Sequence, residues 1–332
     1  MLKSLLFLLL LFNIPVFADK PITPKDYHDI LKVGIDVNWA MFKKEIEYFS
    51  KKEVEDFKRV GFSHVRIRIR SDVDRLKMSK NGYIKYLKRV VDTTLKYGLI
   101  PILAYDAKDF KKDPTESNLN NVVKYWSEIG KEFRHYTHKL SFDIIIEPGK
   151  KLNKNYKILN KLYEKTVYSI RELDPKRIVF IAPIRCSSPF YLKYLKIPSR
   201  SNGYLMVEWH FYAAGPSKTN PKRLWTRGTK EEKRLITVKI KSALKWQKEH
   251  NIMGWVGAWM PSDYNHGNHY TIEEQIKFAT FMSNSLKSNK IPFAINADQK
   301  FYNYRKKRWI RKRYNLLLSI VKNSKDDNKI VF

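Results

Sequence analysis

The chain has 332 residues and a formal net charge of +32 at pH 7, with 65 Lys and Arg against 33 Asp and Glu. Its single cysteine, Cys186, excludes an internal disulfide, so a chain of this length must rely on a large packed core. The charge favours anionic partners such as acidic polysaccharide or lipid headgroups. Nucleic acid is not an expected partner, because the chain contains no nucleic-acid-binding motif.

The first 18 residues have the pattern of a secretory signal peptide. Lys3 gives a basic start, residues 5–11 an apolar stretch, and Ala18 a small residue at the cleavage site. The alternative is an uncleaved membrane anchor, but the apolar stretch is short and Pro15 interrupts it. We therefore expect residues 1–18 to be removed and the product to be exported, either to the periplasm or out of the cell.

Short apolar runs alternate with longer amphipathic segments through residues 19–332. The runs predict eight strands, at residues 33–37, 64–69, 100–104, 142–146, 178–182, 204–211, 254–259 and 292–296. Eight strands alternating with helices, without a composition break, predict one α/β domain that is a single (β/α)8 barrel. A doubly wound open sheet is the competing architecture, but no Gly-rich phosphate loop follows the first strand.

The helices are predicted from apolar residues at three- and four-residue spacing and from their end signals. The predicted helices include residues 83–97, 118–136, 154–173, 230–250 and 271–286. Ser50 and Glu53 predict a capping box at the start of a further helix, which Gly61 should end.

In a barrel of this kind the functional side chains cluster at the carboxyl ends of the strands. The candidates there are Asp36, Asn38, His64, Arg66, Arg68, Tyr105, Asp106, Glu147, Glu208, His210, Tyr212, Ala258, Trp259, Asp263, His266, His269, Asn296 and Asp298. Alternation along a strand puts Glu208, His210 and Tyr212 on one face. If that face and the Arg66 face point inwards, we expect an interior ion-pair network that orients Glu147.

The order of motifs from residue 34 onward resembles family 5 glycoside hydrolases, cellulase-like retaining enzymes with a (β/α)8 fold. The segments that carry the resemblance are GIDVNW, GFSHVRIRI, FDIIIEP, LDPKRIVFIAP, WHFY and LWTRGTKEEKRLI. The resemblance implies a carbohydrate ligand and places Arg66 on the active-site Arg, Glu147 on the acid/base and His210 with Tyr212 on the sixth-strand pair. It also places Asn38 on the last Asn of the first-strand motif, and Trp225 with Gly228 at the entry to the sixth helix.

Four parts of the family's site are altered in this chain. The strand-seven nucleophile position holds Ala258, and the Asn before the acid/base is Ile146. Tyr105 and Asp106 replace a His pair, and the eighth-strand Trp platform falls near Asn296. Because a retaining glycosidase needs two carboxylates, these changes predict a glycan-binding protein that is inactive or strongly altered.

The expected glycan groove is lined by aromatic residues, since sugar rings stack on aromatic faces. Its candidates are Trp39, Tyr105, His210, Tyr212, Trp225, Trp259 and Tyr264, with Asn38, Asp106 and Asp263 as polar contacts. The alternative is an active hydrolase with a relocated carboxylate, Asp263, Asp106 or Asp298, and Glu147 as general acid.

A metal site from Asp263, His266 and His269 is a third possibility, but their spacing fits no strong signature. No cofactor is expected, and a monomer is expected. An anionic polymer or cell-surface component could bind the basic cluster of Arg305, Lys306, Lys307, Arg308, Arg311, Lys312 and Arg313.

Overall fold

A computed structural model of the chain describes residues 20–262 and 269–322. Its centre is a closed barrel of eight parallel strands that pair in sequence order, with β1 also pairing with β8. The strands are β1 Val33–Val37, β2 His64–Ile69, β3 Ile100–Tyr105, β4 Ser141–Asp143, β5 Val179–Ile181, β6 Leu205–Trp209, β7 Gly254–Trp259 and β8 Phe293–Ile295. The predicted (β/α)8 fold is therefore confirmed.

Helices cover the outside of the barrel and connect the strands. They are α1 Pro24–Leu31, α2 Lys43–Tyr48, α3 Lys51–Val60, α4 Lys80–Lys96, α5 Lys108–Lys112, α6 Glu116–Phe133, α7 Tyr156–Arg171, α8 Ile184–Ser187, α9 Lys230–His250, α10 Ile272–Ser288 and α11 Arg311–Val321. Their apolar faces pack on the strands to form one large core. Among the described residues, no helix has the length and apolar character needed to cross a bilayer.

Four strands, β4, β5, β6 and β8, are shorter than the sequence predicts, and the changes in β4 and β6 affect the site. β4 ends at Asp143 and β6 at Trp209, so Glu147 and Tyr212 lie in the connections that follow. Ile146 N still donates to Tyr105 O at 2.9 Å, so the chain continues along the barrel wall as far as Ile146. Glu147 then adopts a left-handed conformation with φ of 51°, which turns the chain at the barrel mouth.

The amino-terminal end of the barrel is closed by α1. Thr23 caps this helix by accepting a hydrogen bond from Asp26 N at 3.2 Å. Tyr27 and Leu31 point into the barrel and pack against a second apolar cluster that includes Phe180. This end is therefore filled, and the mouth at the carboxyl ends of the strands is left for chemistry.

The start of α3 differs from the sequence prediction. Ser50 is the N-cap residue, but its hydroxyl makes no capping hydrogen bond, and Glu53 is fully buried instead of reaching back to Ser50. The predicted capping box is therefore wrong, because tertiary packing draws Glu53 into the protein. The end of the helix is as predicted, with Gly61 at φ of 113°.

The basic cluster lies on a small hairpin, β9 Tyr302–Asn303 with β10 Arg308–Trp309, and on the start of α11. Trp309 anchors the hairpin by stacking on Phe57, with ring centroids 5.1 Å apart. The cationic side chains of Arg305, Lys306, Lys307, Arg308, Arg311 and Lys312 are exposed, and Arg313 is half-buried.

Candidate active site

The barrel interior holds an ion-pair network centred on Arg66. In register, Asp36 of β1 lies beside Arg66 of β2, and the guanidinium donates to both Asp36 carboxylate oxygens, at 2.8 and 2.5 Å. Arg66 also donates to Asp143 at 3.2 Å and lies 4.0 Å from Glu208. Burial would lower the pKa of Arg66, but these carboxylates raise it, so the guanidinium stays charged. The three carboxylates require this cation, because all of them are buried.

Above Arg66, the side chains of Glu208, His210 and Glu147 contact one another in a row that leads to the barrel mouth. Glu208 Oε1 lies 2.6 Å from His210 Nδ1, which is also 3.0 Å from Gly257 O. On the other edge of the ring, His210 Nε2 and Glu147 Oε1 form an ion pair at 3.3 Å. His210 is buried, whereas the Glu147 side chain is 41 % exposed. The network therefore holds the imidazole and presents Glu147 to solvent.

The protonation states of His210 and Glu147 are set by the charged groups around them. Burial would lower the pKa of His210, but the carboxylates of Glu208 and Glu147 raise it to about 10. Burial would raise the pKa of Glu147, but His210, Arg68 and Lys111 lower it to about 2. At neutral pH the pair in the ligand-free protein is therefore an imidazolium and a carboxylate.

The position opposite the acid/base carries no carboxylate. Ala258 is 2 % exposed and packs among apolar residues of the barrel interior that include Phe180, Met206 and Trp255. Ile146, directly before Glu147, is also buried and offers no hydrogen-bond donor from its side chain. The structure thus gives Glu147 neither a nucleophilic partner at residue 258 nor the like charge that would raise its pKa.

Three aspartates were candidates for a relocated second carboxylate. Asp106 and Asp298 bind other groups of the protein, and Asp263 lies outside the described residues. Asp298 is fully buried and accepts hydrogen bonds from Asn38 N at 3.0 Å, from Gln299 N at 2.6 Å and from the Tyr304 hydroxyl. Burial raises the pKa of Asp298 to about 6. Asp298 thus ties β1 to the segment after β8.

Asp106 forms an ion pair with Lys111, which also donates to Ile146 O at 2.8 Å. The pair fixes the backbone directly before Glu147. Asp263, Tyr264 and His266 lie outside the described residues. His269 is described, but among the described residues no group of three potential metal ligands occurs.

Three tryptophans predicted to contact a glycan are core residues, which corrects the sequence prediction. Trp39 and Trp259 are fully buried; Trp39 packs against Phe49 and Phe57, at centroid distances of 5.3 and 5.6 Å. The strand ends carry these rings outwards, into the layer between strands and helices, and not into the mouth. Trp225 is also buried, 5.1 Å from the Phe278 ring.

The motif that contains Trp225 has a structural role. Glu232 accepts hydrogen bonds from the backbone N–H of Gly228 at 2.7 Å and of Thr229 at 2.8 Å, and Thr229 caps α9. Gly228 has φ of 78°, and a Cβ there would lie 3.1 Å from the Trp225 ring. The motif folds the loop onto α9 and forms no part of the mouth.

The other candidate site residues differ in their burial and in their hydrogen-bond partners. Tyr105 is half-buried, and its hydroxyl lies 2.7 Å from Ser71 Oγ. Tyr212 is 5 % exposed and donates to Leu224 O at 3.4 Å. Asn38 is buried, and its side-chain oxygen has no hydrogen-bond partner within the described residues. Arg68 is 28 % exposed and donates to Asn296 Oδ1 at 3.2 Å, at the position of the family's Trp platform.

Sequence reasoning missed two residues of the site. Asp143 pairs with Arg66, and burial raises its pKa to about 7. Its place directly after Phe142 in FDIIIEP was a usable signal, because the family motif has a Glu there. Lys111 gave no signal, since one lysine among many in a basic chain is not distinctive.

Comparisons with known proteins agree with this architecture. The family model described as cellulase (glycosyl hydrolase family 5) matches residues 32–298. Endoglucanase H of Acetivibrio thermocellus is 25% identical over 238 residues, which are 70% of this chain and 25% of that protein. Endoglucanase C of the same organism is 26% identical over 204 residues, 54% of this chain and 57% of that protein. The chain thus spans a quarter to somewhat over half the length of these relatives.

Solved structures share the fold. A hyperthermophilic endo-β-1,4-glucanase in complex with substrate superposes with a TM-score of 0.74 at 22% identity, over 89% of this chain and 99% of that one. Thermotoga maritima Cel5A in complex with mannotriose gives 0.75 at 20% identity, over 90% and 100%. Together with the family model, which spans every strand of the barrel, these matches show that the chain belongs to glycosyl hydrolase family 5.

Proposed function

We propose that this protein binds a β-glycan in the mouth of the barrel and does not hydrolyse it by the family's retaining mechanism. The observation that carries this proposal is Ala258, a buried methyl group where a retaining enzyme needs a nucleophilic carboxylate. A binding role keeps the features that orient a ligand, namely Arg66, His210 and Glu147, and needs no second carboxylate.

Magnitudes support the loss of activity. A general acid contributes about 10²–10⁴ in rate, whereas enzymes as a class reach about 10⁶–10¹⁷ over the uncatalysed reaction. General acid catalysis by Glu147 alone would therefore leave most of that rate enhancement unaccounted for. A β-glucan is the ligand class that we propose, because the curated relatives are named endoglucanases.

The proposal is tested by measuring binding and turnover together. Isothermal titration with cellohexaose should show binding, while reducing-sugar assays should show no release above buffer for the wild type or for Glu147→Gln. Glu249→Gln, on the exposed end of α9, is the control substitution. Turnover at ordinary enzyme rates of about 1–10³ s⁻¹ would refute the proposal if Glu147→Gln abolished it and Glu249→Gln did not. That result would instead support a relocated carboxylate, to be sought at Asp263, Asp106 and Asp298.

We also propose that the protein is exported and that its exposed basic cluster, residues 305–313, contacts an anionic polymer or cell surface. The signal-like pattern of residues 1–18, which lie outside the described residues, supports export. The exposure of six cationic side chains of the cluster supports contact with anions.

A further inference from the structure

The start of α7 and the connection after β5 together carry an aromatic surface that the proposed binding site does not yet include. We define the aromatic shelf as Tyr156, Phe190, Tyr191 and Tyr194. The rings of Tyr156 and Tyr194 are 5.1 Å apart, and those of Tyr191 and Tyr194 are 5.9 Å apart. Phe190 is 46% exposed and Tyr194 is 37% exposed, so the shelf presents aromatic surface to solvent. Aromatic surface of this kind is suited to contact with sugar rings.

Two exposed cations lie over these rings. Arg185 Cζ is 5.6 Å from the Tyr191 centroid, and Lys193 Nζ is 5.2 Å from the Tyr194 centroid. Neither side chain forms an ion pair within the part of the chain that the structure describes. Many other surface cations do, as in the pair of Lys88 with Glu132 at 2.7 Å. The charges on the shelf are therefore available to a ligand.

The two segments beside the shelf contain no acidic residue of their own, although Asp113 and Glu116 from other segments pair with Lys151 and Lys161, at 3.7 and 2.5 Å. Residues 148–163 and 182–199 contain no Asp or Glu, but they contain five lysines and three cationic residues, respectively. Residues 150–154 pack against α8, so both segments border the same side of the mouth. A cationic edge of this kind raises the local concentration of anions.

The backbone fixes the shelf to the candidate active site. Cys186 N donates to Pro148 O at 2.9 Å, and His210 N donates to Ser187 O at 2.9 Å. Arg185, Cys186 and Ser187 are all left-handed, with φ of 59°, 53° and 56°. This conformation is unfavourable for residues with a Cβ and persists where the surroundings hold it, often at ligand sites.

We propose that the aromatic shelf, with Arg185 and Lys193, binds an acidic oligosaccharide, a chain of sugar rings that carry carboxylate or sulfate groups. The inference rests on the proposed glycan-binding function and specifies the ligand's charge. The aromatic rings hold the sugars while the cations attract their anionic groups. A neutral glycan would use only the stacking part of this surface.

The test measures affinity by isothermal titration for three β-1,4-linked hexasaccharides: an oligomannuronate, a sulfated cellohexaose and neutral cellohexaose. The wild type should bind an acidic hexamer at least about tenfold more tightly than cellohexaose. R185E/K193E should abolish this preference through at least about a tenfold loss for the acidic ligand, with the neutral affinity changed by less than about twofold. The two acidic ligands distinguish carboxylate from sulfate recognition.

The control for charge reversal away from the mouth is R200E, compared with each single variant, R185E and K193E; Arg200 pairs with Glu172 at 3.0 Å. Arg200 also lies over an exposed ring, 4.2 Å from the Tyr168 centroid, but it precedes β6 and so belongs to the opposite end of the barrel. Equal losses in R200E and R185E/K193E, or equal wild-type affinity for neutral and acidic hexamers, would overturn the shelf proposal and leave neutral glycan binding standing. Failure of all three hexamers to bind would overturn both proposals. Thermal melting of each variant verifies folding.

Discussion

At the scale of single residues, the chemistry of the mouth depends on a charge that is missing. In a retaining pair, two nearby carboxylates raise each other's pKa, so one keeps a proton for the leaving group. Here Ala258 removes that influence, while His210 stabilises the Glu147 carboxylate. The loss of one side chain therefore affects the nucleophile and the acid at once.

Replacing Ala258 by Glu is expected to restore part of the chemistry. The new carboxylate should raise the pKa of Glu147 above about 2 and supply a nucleophile, most effectively together with Ile146→Asn. Reducing-sugar release from a cello-oligosaccharide should rise at least about 10²-fold over A258Q, which matches the size of the side chain without its charge.

The restored activity should disappear when Glu147→Gln is added. If folded A258E and A258E/I146N are no more active than A258Q, the assignment of residue 258 as the nucleophile position is wrong. Melting curves are needed because residue 258 is buried among apolar side chains, and a carboxylate there is costly.

At the scale of elements, α3 carries a buried acid, Glu53, which the sequence pattern predicted to be part of a capping box at the start of the helix. Both carboxylate oxygens of Glu53 lack hydrogen-bond partners within the described residues. Burial, and then the charge of Asp298, raise the pKa of Glu53 well above its usual value. The folded protein therefore holds this proton at pH values at which the unfolded chain has lost it.

This shift makes stability depend on pH in a defined direction. The stabilising contribution is fully present below the unfolded pKa of about 4.3 and is lost as the pH rises through the raised folded pKa. Glu53→Gln should thus gain stability relative to the wild type as the pH rises from 5 to 8, because the variant has no carboxyl proton to lose. Urea unfolding at pH 5 and pH 8 measures the difference.

Glu55→Gln is the control on the same helix, because Glu55 is exposed and pairs with Arg59. It should leave the pH dependence unchanged. A wild type that gains stability between pH 5 and pH 8 relative to Glu53→Gln would show that Glu53 is ionised in the folded state.

At the scale of the whole molecule, the two features that bear on the protein's surroundings are its net charge and its predicted signal peptide. A net charge of +32 keeps molecules apart through self-repulsion and attracts anionic matrices. The charge is spread over helices and loops, but the barrel interior compensates its own charges, as Arg66 does with Asp36 and Asp143. The excess positive charge therefore lies on the protein surface. The charges inside the barrel are balanced by local ion pairs such as Arg66 with Asp36.

Export is the prediction that belongs to this scale. Expression of the full chain in a bacterial host should release a protein that begins at Asp19, and amino-terminal sequencing of the periplasmic or culture fraction checks it. A variant with Leu8→Arg, which breaks the apolar stretch, should stay in the cytoplasm. Recovery of an intact amino terminus in the membrane fraction would favour the uncleaved anchor.

The sequence by itself determined the barrel, because eight apolar runs between amphipathic helices can be buried together in few ways. From the order of motifs it also predicts Glu147 as the acid and residue 258 as the nucleophile position, and these two assignments remain predictions. Only the tertiary structure decided the fate of side chains whose surroundings come from distant segments. Trp39 and Trp259 lie at strand ends, yet both are core residues, because the direction of a side chain there depends on where the strand ends and how the helices pack. Glu53 was drawn inside for the same reason, and the aromatic shelf exists only because the start of α7 and the connection after β5 meet.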